Sequence, residues 1–279
     1  MPQWNCACVH CNAARTGARP RRSQSSFALS SDGDRWWLIN ASPDIAQQIE
    51  AFPALAPRDA RGTPIAGMFF TDANVDHLGG LAVLRQAGTH AFDIYSSATV
   101  RALAAEQQAF ATFTMPPHRW NALALDEVVA FERGLSAQVI KIDGLTPGFA
   151  GRRALADAVV AYLITDEASG GRALFAPVFA SVTETLIRAA HDADVSFFDG
   201  SFWSDDELEG YGVEKPARAL GHAPISGPDG SLAALPQRGR RLFAHINNTN
   251  PLLDPTSDAA AETGRRGFEI AHDGLQIQV

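Results

Sequence analysis

The chain has 279 residues, 46% hydrophobic and 19% charged, a balance that supports a buried core and excludes a chain too polar to fold. The formal net charge is -8 and the arginines come in short groups (Arg19, Arg21 and Arg22; Arg238, Arg240 and Arg241), which excludes a phosphate-tracking surface and nucleic acid as partner. No apolar run reaches bilayer length, and residues 1–5 lack the charged start and apolar stretch of a secretory leader, so no membrane insertion is expected and a cytoplasmic location is.

Residues 1–22 read as irregular and carry all three cysteines, Cys6, Cys8 and Cys11, too close together to form a disulfide framework. Residues 26–30 and 36–40 read as strands of a hairpin turning at Asp32-Gly33. Ser42-Pro43-Asp44 opens a helix over 45–52. A strand over 65–71 runs directly into Asp72-Ala73-Asn74-Val75-Asp76-His77, and Gly79-Gly80-Leu81 opens a helix through Arg85. A strand at 92–95 and a helix at 98–109 follow; 124–142 reads as strands with turns, and 151–157 as loop or short helix. Strands at 158–165 and 173–176 flank Gly170-Gly171, and a helix at 183–190 precedes a strand at 195–198 that ends in Asp199-Gly200. A strand at 242–244 ends in His245, and 268–271 with 275–279 reads as a closing hairpin about Asp273-Gly274. With no repeat, low-complexity tract or linker, one domain over 1–279 is expected, with a cysteine-rich metal-binding segment at 1–22.

Residues at the C-terminal ends of buried strands converge on one rim of an α/β sheet, where ligands bind. Asp76, His77, Asp199 and His245 all have that placement. Taken singly, each has a plainer reading. An Asp-His pair is a solvated turn, Asp72 and Asp199 are helix caps, and His245 is a satisfied core histidine.

The cysteines have the spacing Cys-x-Cys-x-x-Cys, which supplies three ligands of a tetrahedral structural zinc. His10 is the nearest candidate for the fourth, with His245, Asn248 and His272 as distant alternatives. The other readings are thiols that simply pack, and a redox pair, which the lack of a clear helix after Cys-x-x-Cys disfavours.

Val75-Asp76-His77-Leu78-Gly79-Gly80-Leu81 after an apolar strand resembles the second half of the metallo-β-lactamase signature His-x-His-x-Asp-His, which binds two metals. Asp72 and Asn74 stand where that signature has its first two histidines, and no histidine lies between His118 and His191, where the family supplies a further ligand. The resemblance therefore implies loss of the first metal and retention of the second, held by Asp76, His77, Asp199 and His245. An oxygen- and nitrogen-rich set of that kind suits Fe(II), with Mn(II) or Zn(II) as substitutes.

Pro2-Gln3-Trp4-Asn5-Cys6, Arg22-Ser23-Gln24-Ser25-Ser26, Asn40-Ala41-Ser42-Pro43-Asp44-Ile45, Asp199-Gly200, Gly221-His222 and His245-Ile246-Asn247-Asn248-Thr249-Asn250-Pro251 resemble the pyrroloquinoline quinone (PQQ) biosynthesis protein B family. Its members begin with a strand and a Gly-rich turn ahead of Pro-Gln-Trp-Asn, whereas Met1 here precedes Pro2. The resemblance thus implies an α/β fold, an αββα sandwich of the metallo-β-lactamase type, lacking its first edge strand or with a misplaced start. For function it implies iron- and O2-dependent hydroxylation of the tyrosine ring of a Glu-Tyr-derived precursor of PQQ, or carriage of PQQ or its precursor toward the periplasm. Other PQQ-pathway proteins are expected partners, and a lactamase-type hydrolase is a third class. Under the hydroxylase reading, His222 is an acid/base or hydrogen-bond donor, Asp72 and Asn74 orient His77 or a bound water, and Arg22 and Ser25 are further candidates for carboxylate binding.

Overall fold

The computed structural model describes residues 1–85, 90–132 and 134–279. It forms two compact units, one of Met1–Ser23, Ile142–Gly144 and Gly171–Val279, the other of Gln24–Lys141 and Leu145–Gly170. Helix α1 (Val9–Arg15) is followed by β1 (Phe27–Leu29), β2 (Trp36–Ile39), α2 (Ile45–Ala51), β3 (Ile65–Phe70) and the short helices α3 (Val75–Leu78) and α4 (Gly80–Leu84). Then come β4 (Asp93–Ser97), α5 (Ala98–Ala105), α6 (Gln108–Ala111), β5 (Arg119–Leu123), β6 (Val128–Glu132), β7 (Leu135–Lys141) and β8 (Val160–Asp166). The rest is β9 (Arg172–Ala176), α7 (Glu184–Asp192), β10 (Val195–Asp199), α8 (Ala217–Leu220), α9 (Ser231–Ala234), β11 (Arg240–Ala244), α10 (Asp258–Arg265) and β12 (Phe268–Ile270). Among the described residues no helix is long and apolar enough to cross a membrane.

In the unit of Gln24–Lys141 and Leu145–Gly170, one sheet has the order β1-β2-β3-β4-β5, with only β1 antiparallel to its neighbour. Every residue of β3 is buried, as expected of a parallel strand covered on both faces. The strand period of two sends Leu38, Met68, Phe70, Ile94 and Trp120 into one core cluster with Ile45, Leu81, Val100 and Phe110 of the helices. The opposite face carries Trp37 and Phe69. These meet Phe131 of β6 at ring distances of 4.8 and 4.9 Å, and Phe69 meets Tyr162 of β8 at 5.1 Å. Strands β6, β7 and β8 form an antiparallel run, so this unit is two sheets packed through aromatic rings, each buried ring contributing roughly 1.5–3 kcal/mol.

In the other unit, β9, β10, β11 and β12 are parallel in the order β12-β11-β10-β9. Asp199 pairs in register with Ala244, so the chain leaves β10 and β11 at the same rim, placing Asp199 and His245 there together. Phe198 and Phe243 are fully buried beneath them, and Phe243 stacks on Phe268 at 4.9 Å.

Several expected elements differ. Segment 1–22 is not irregular throughout: Cys8 caps α1, its Sγ accepting from the Cys11 N–H at 3.4 Å, and the helix buries His10, Cys11 and Ala14. Seven residues were too few to show that periodicity. The helix expected over 98–109 ends at Ala105 and resumes as α6, and β5 and α10 were not foreseen. Residues 275–279 form no strand; β12 pairs parallel to β11, a partner distant in sequence, in place of a hairpin. Arg133, within the expected strand region 124–142, lies outside the described residues.

Candidate metal centre

Strand β3 delivers the chain into a buried corner at Thr71 and Asp72. Asn40, in left-handed backbone at φ 61°, reaches across with its side chain: Nδ2 donates to Thr71 Oγ1 at 2.9 Å and Oδ1 accepts the Thr71 N–H at 3.0 Å. Asparagine tolerates that conformation better than other side chains. Asp72 Oδ2 accepts from His77 Nδ1 at 2.6 Å and from Thr71 Oγ1 at 2.8 Å; Oδ1 accepts the Asn74 N–H at 3.0 Å and Asn74 Nδ2 at 2.8 Å. Burial pushes the Asp72 carboxyl up, but the adjacent His77 ring and these bonds outweigh it and hold the group below the ordinary carboxylate range. With Nδ1 engaged, the other ring nitrogen, Nε2, faces Asp76 Oδ2 at 3.9 Å. An imidazole held through one nitrogen by a carboxylate is the usual arrangement of a metal-ligating histidine.

The backbone of this corner is seated on residues 41–43. The Ala41 N–H donates to the His77 carbonyl at 2.8 Å and the Gly80 N–H to the Ala41 carbonyl at 2.8 Å. A Cβ on Gly80 would lie 2.6 Å from the Ser42 carbonyl oxygen, so the approach requires glycine.

At the rim of the parallel unit, Asp199 is fully buried. Its Oδ2 accepts from His222 Nδ1 at 2.8 Å and from the Phe179 N–H at 3.2 Å; its Oδ1 accepts the Ser201 N–H at 2.9 Å and Ser201 Oγ at 2.7 Å. Burial raises the Asp199 carboxyl, but His222, His245 and Ser201 outweigh it and set it below the ordinary range. Ser201 Oγ also lies 2.8 Å from His245 Nδ1. The His222 and His245 rings stack at 5.6 Å, and donor atoms of Asp199, His222 and His245 all fall within 4.8 Å of one another.

The three thiols gather in the same way, with ligand atoms within 4.8 Å. Asn248 lies against them: Nδ2 is 3.1 Å from Cys6 Sγ and 3.6 Å from Cys8 Sγ, and Cys8 Sγ is 3.3 Å from the Asn248 carbonyl oxygen. Burial raises the Cys8 thiol, but the Cys11 N–H and Asn248 outweigh it and bring it below the usual thiol value, favouring the thiolate that binds metal. Burial raises Cys11. His10 is turned to Arg19, its Nδ1 3.3 Å from Nη1, and His272 is exposed with Nδ1 3.0 Å from the Asp273 carbonyl oxygen. Of the four fourth-ligand candidates, the structure places Asn248 on the thiols. The donor set of three thiols at the start of a helix fits Zn(II).

Each expected site residue therefore falls into one of three local groups: Asp72, Asn74, Asp76 and His77; Asp199, His222 and His245; Cys6, Cys8 and Cys11. Asp199, expected as a ligand, already accepts four hydrogen bonds in this structure, one of them from His222, which was expected as an acid/base group or hydrogen-bond donor near the site. Arg22, weighed for carboxylate binding, donates through Nη1 to the Ala271 carbonyl at 2.6 Å. Ser201, Asn40 and Thr71 were missed. Ser201 had a signal, since Asp-x-Ser after a strand is an Asx-turn pattern. The Asn40 and Thr71 pairing joins residues 31 positions apart and has no local signature.

A β-lactamase superfamily domain model matches residues 35–246. Coenzyme PQQ synthesis protein B of Ruegeria pomeroyi is 38% identical over 283 residues, covering 99% of this chain and 95% of that protein. The protein of that name from Methylorubrum extorquens is 37% identical over 291 residues, covering 100% and 96%. The crystal structure of Zn(2+)-bound PqqB from Methylobacterium extorquens matches with TM-score 0.93 and 36% identity, covering 100% of this chain and 95% of that one. A diphosphatase from the PhnP family shares the fold, with TM-score 0.70 at 18% identity.

Proposed function

The chain belongs to the coenzyme PQQ synthesis protein B family, with the metallo-β-lactamase fold, and from that premise we propose that it hydroxylates the tyrosine ring of a Glu-Tyr-derived precursor in PQQ biosynthesis, using one iron and O2. Asp76, His77, Asp199 and His245 are the proposed ligands of that ion. Their sharing of one ion rests on their order along the chain, which follows the second-metal ligands of the metallo-β-lactamase signature.

The observation that carries the reading is the pairing of His77 with Asp72. A buried carboxylate occupies the position of the signature's first histidine and spends its acceptors on orienting the ligand that remains. A site with that position so used favours a single ion, and hydrolysis by a bridging hydroxide needs two in most such sites. Imidazole and carboxylate ligands with open positions suit Fe(II), which when bound supplies the electron chemistry that dioxygen requires; Mn(II) or Zn(II) would occupy the same donors. One oxygen atom enters the ring C–H bond and the other leaves as water, with two electrons and two protons drawn from an external reductant. His222 is proposed to donate or accept a proton at Nε2, with Asp199 fixing its ring, and Asn74 to support Asp72. The thiols of Cys6, Cys8 and Cys11 are proposed to hold a structural zinc. A cytoplasmic location and contact with other proteins of the pathway complete the proposal.

The test is anaerobic loading with Fe(II), then addition of 18O-labelled dioxygen, ascorbate and a Glu-Tyr peptide. Mass spectrometry should find labelled oxygen in the peptide. No incorporation, together with binding of PQQ by metal-free protein, would overturn the hydroxylase in favour of a carrier.

A further inference from the structure

The run from His245 to Asn250 joins two of the groups above, and its polar side chains are each committed to a different neighbour. His245 starts it with left-handed backbone at φ 55°, a conformation that persists in a non-glycine residue only where the surroundings fix it. The Asn247 N–H donates to the Ser201 carbonyl at 3.2 Å, and Asn250 Nδ2 donates to the Gly200 carbonyl at 2.8 Å, tying the run to the end of β10. Asn248, between them, lies on Cys6 and Cys8. Thr249 is buried; its Oγ1 donates to Glu207 Oε1 at 2.5 Å and accepts from Asn247 Nδ2 at 2.6 Å. The second Glu207 oxygen, Oε2, accepts the Trp203 N–H at 2.6 Å.

Glu207 thus clamps the segment after β10, which carries Asp199 and Ser201, to the turn after β11, which carries His245 and Asn248. Both of its bonds are short, at 2.5 and 2.6 Å. Because Glu207 bonds to Thr249 and Trp203, it acts on His245 and on the thiols through the turn.

We propose that Glu207 is a positioning residue that, through Thr249 and the Asn247–Asn250 turn, couples the geometry of the thiol cluster to that of His245. The inference rests on the reading that the cysteines hold a metal. Outer-sphere partners of metal ligands are worth roughly 10–100-fold in affinity, and Asn248 stands in that relation to the thiols at least.

The test uses the full chain and the variants Glu207→Gln, Thr249→Val and Thr249→Ser. Cobalt(II) is titrated while the cobalt–thiolate charge-transfer band is followed, a signature only the cysteines give. In parallel, the His245 ring resonances of metal-free, 15N-histidine-labelled protein are recorded, identified by their loss in His245→Gln. Glu207→Gln and Thr249→Val should weaken cobalt binding at the thiols roughly 10–100-fold and displace the His245 resonances; Thr249→Ser, which keeps the hydroxyl, should do neither. Wild-type behaviour of the first two variants overturns the proposal, as does a change in one readout without the other. Absence of the thiolate band in the wild type overturns the metal reading of the cysteines, and with it the coupling.

Discussion

His77 donates through Nδ1 to the fully buried Asp72 carboxylate at 2.6 Å, so the orientation of the histidine is set by a residue five positions earlier that takes no solvent contact. Replacing Asp72 by Asn keeps an acceptor for His77 without the charge; replacing it by Ala removes both. Metal affinity measured by calorimetry with Mn(II) should fall in both variants, by roughly 10–100-fold for Asp72→Ala and by less for Asp72→Asn. Affinity unchanged in Asp72→Ala would show that the ring is held by something else.

Gly80→Ala tests the seat of the same corner. The added Cβ would fall 2.6 Å from the Ser42 carbonyl oxygen and 2.7 Å from that of Ala41, both backbone atoms that cannot swing aside. Overpacking of this kind costs roughly 1–3 kcal/mol, and the expected result is a lower Tm together with weaker metal binding at His77. A variant as stable as the parent would mean that residues 41–43 yield freely.

His222 and His245 are both held at the rim of the parallel unit, yet the proposed roles differ. His245→Gln should lose the metal. His222→Gln should keep it, as measured by metal analysis of the purified protein, while turnover falls by roughly 10²–10⁴-fold. Loss of metal from His222→Gln would make His222 a ligand, in keeping with the grouping of its donor atoms with those of Asp199 and His245.

His118 stacks on Phe92 at 5.7 Å and lies 4.6 Å from Phe113, with its Nδ1 accepting the Phe92 N–H at 3.2 Å. Burial, and then the neighbouring His90, hold its pKa below the ordinary 6.5. The folded chain favours the neutral ring and the unfolded chain takes up the proton first. The contribution is therefore full above pH 6.5 and is lost as pH falls below it toward the folded value. Urea unfolding across this range should show stability dropping on the acid side, with a shallower slope in His118→Asn, whose amide oxygen accepts the Phe92 N–H without titrating. Parallel slopes would assign the pH dependence to other groups.

Much was already determined by the sequence. Strand period and turn residues placed β1, β2, β3 and β10 within a residue or two, because apolar alternation and turn-forming residues are read from the local sequence whichever partner strand the fold supplies. The strand-end positions of Asp199 and His245 were legible for the same reason, whereas Asp76 and His77, expected at the end of a strand, lie on α3 beyond the end of β3, and the cysteine spacing pointed to the thiol group. Tertiary structure alone decided which neighbours those residues have. That Asp199 holds His222, that Ser201 lies on His245, and that Asn248 in place of His10 meets the thiols depend on segments brought together by packing, whereas the expected hold of Asp72 on His77 spans only residues 72–77. The closing strand expected at 275–279 failed likewise: a strand forms only where a partner edge is presented, and the partner of β12 is β11, more than twenty residues earlier in the chain.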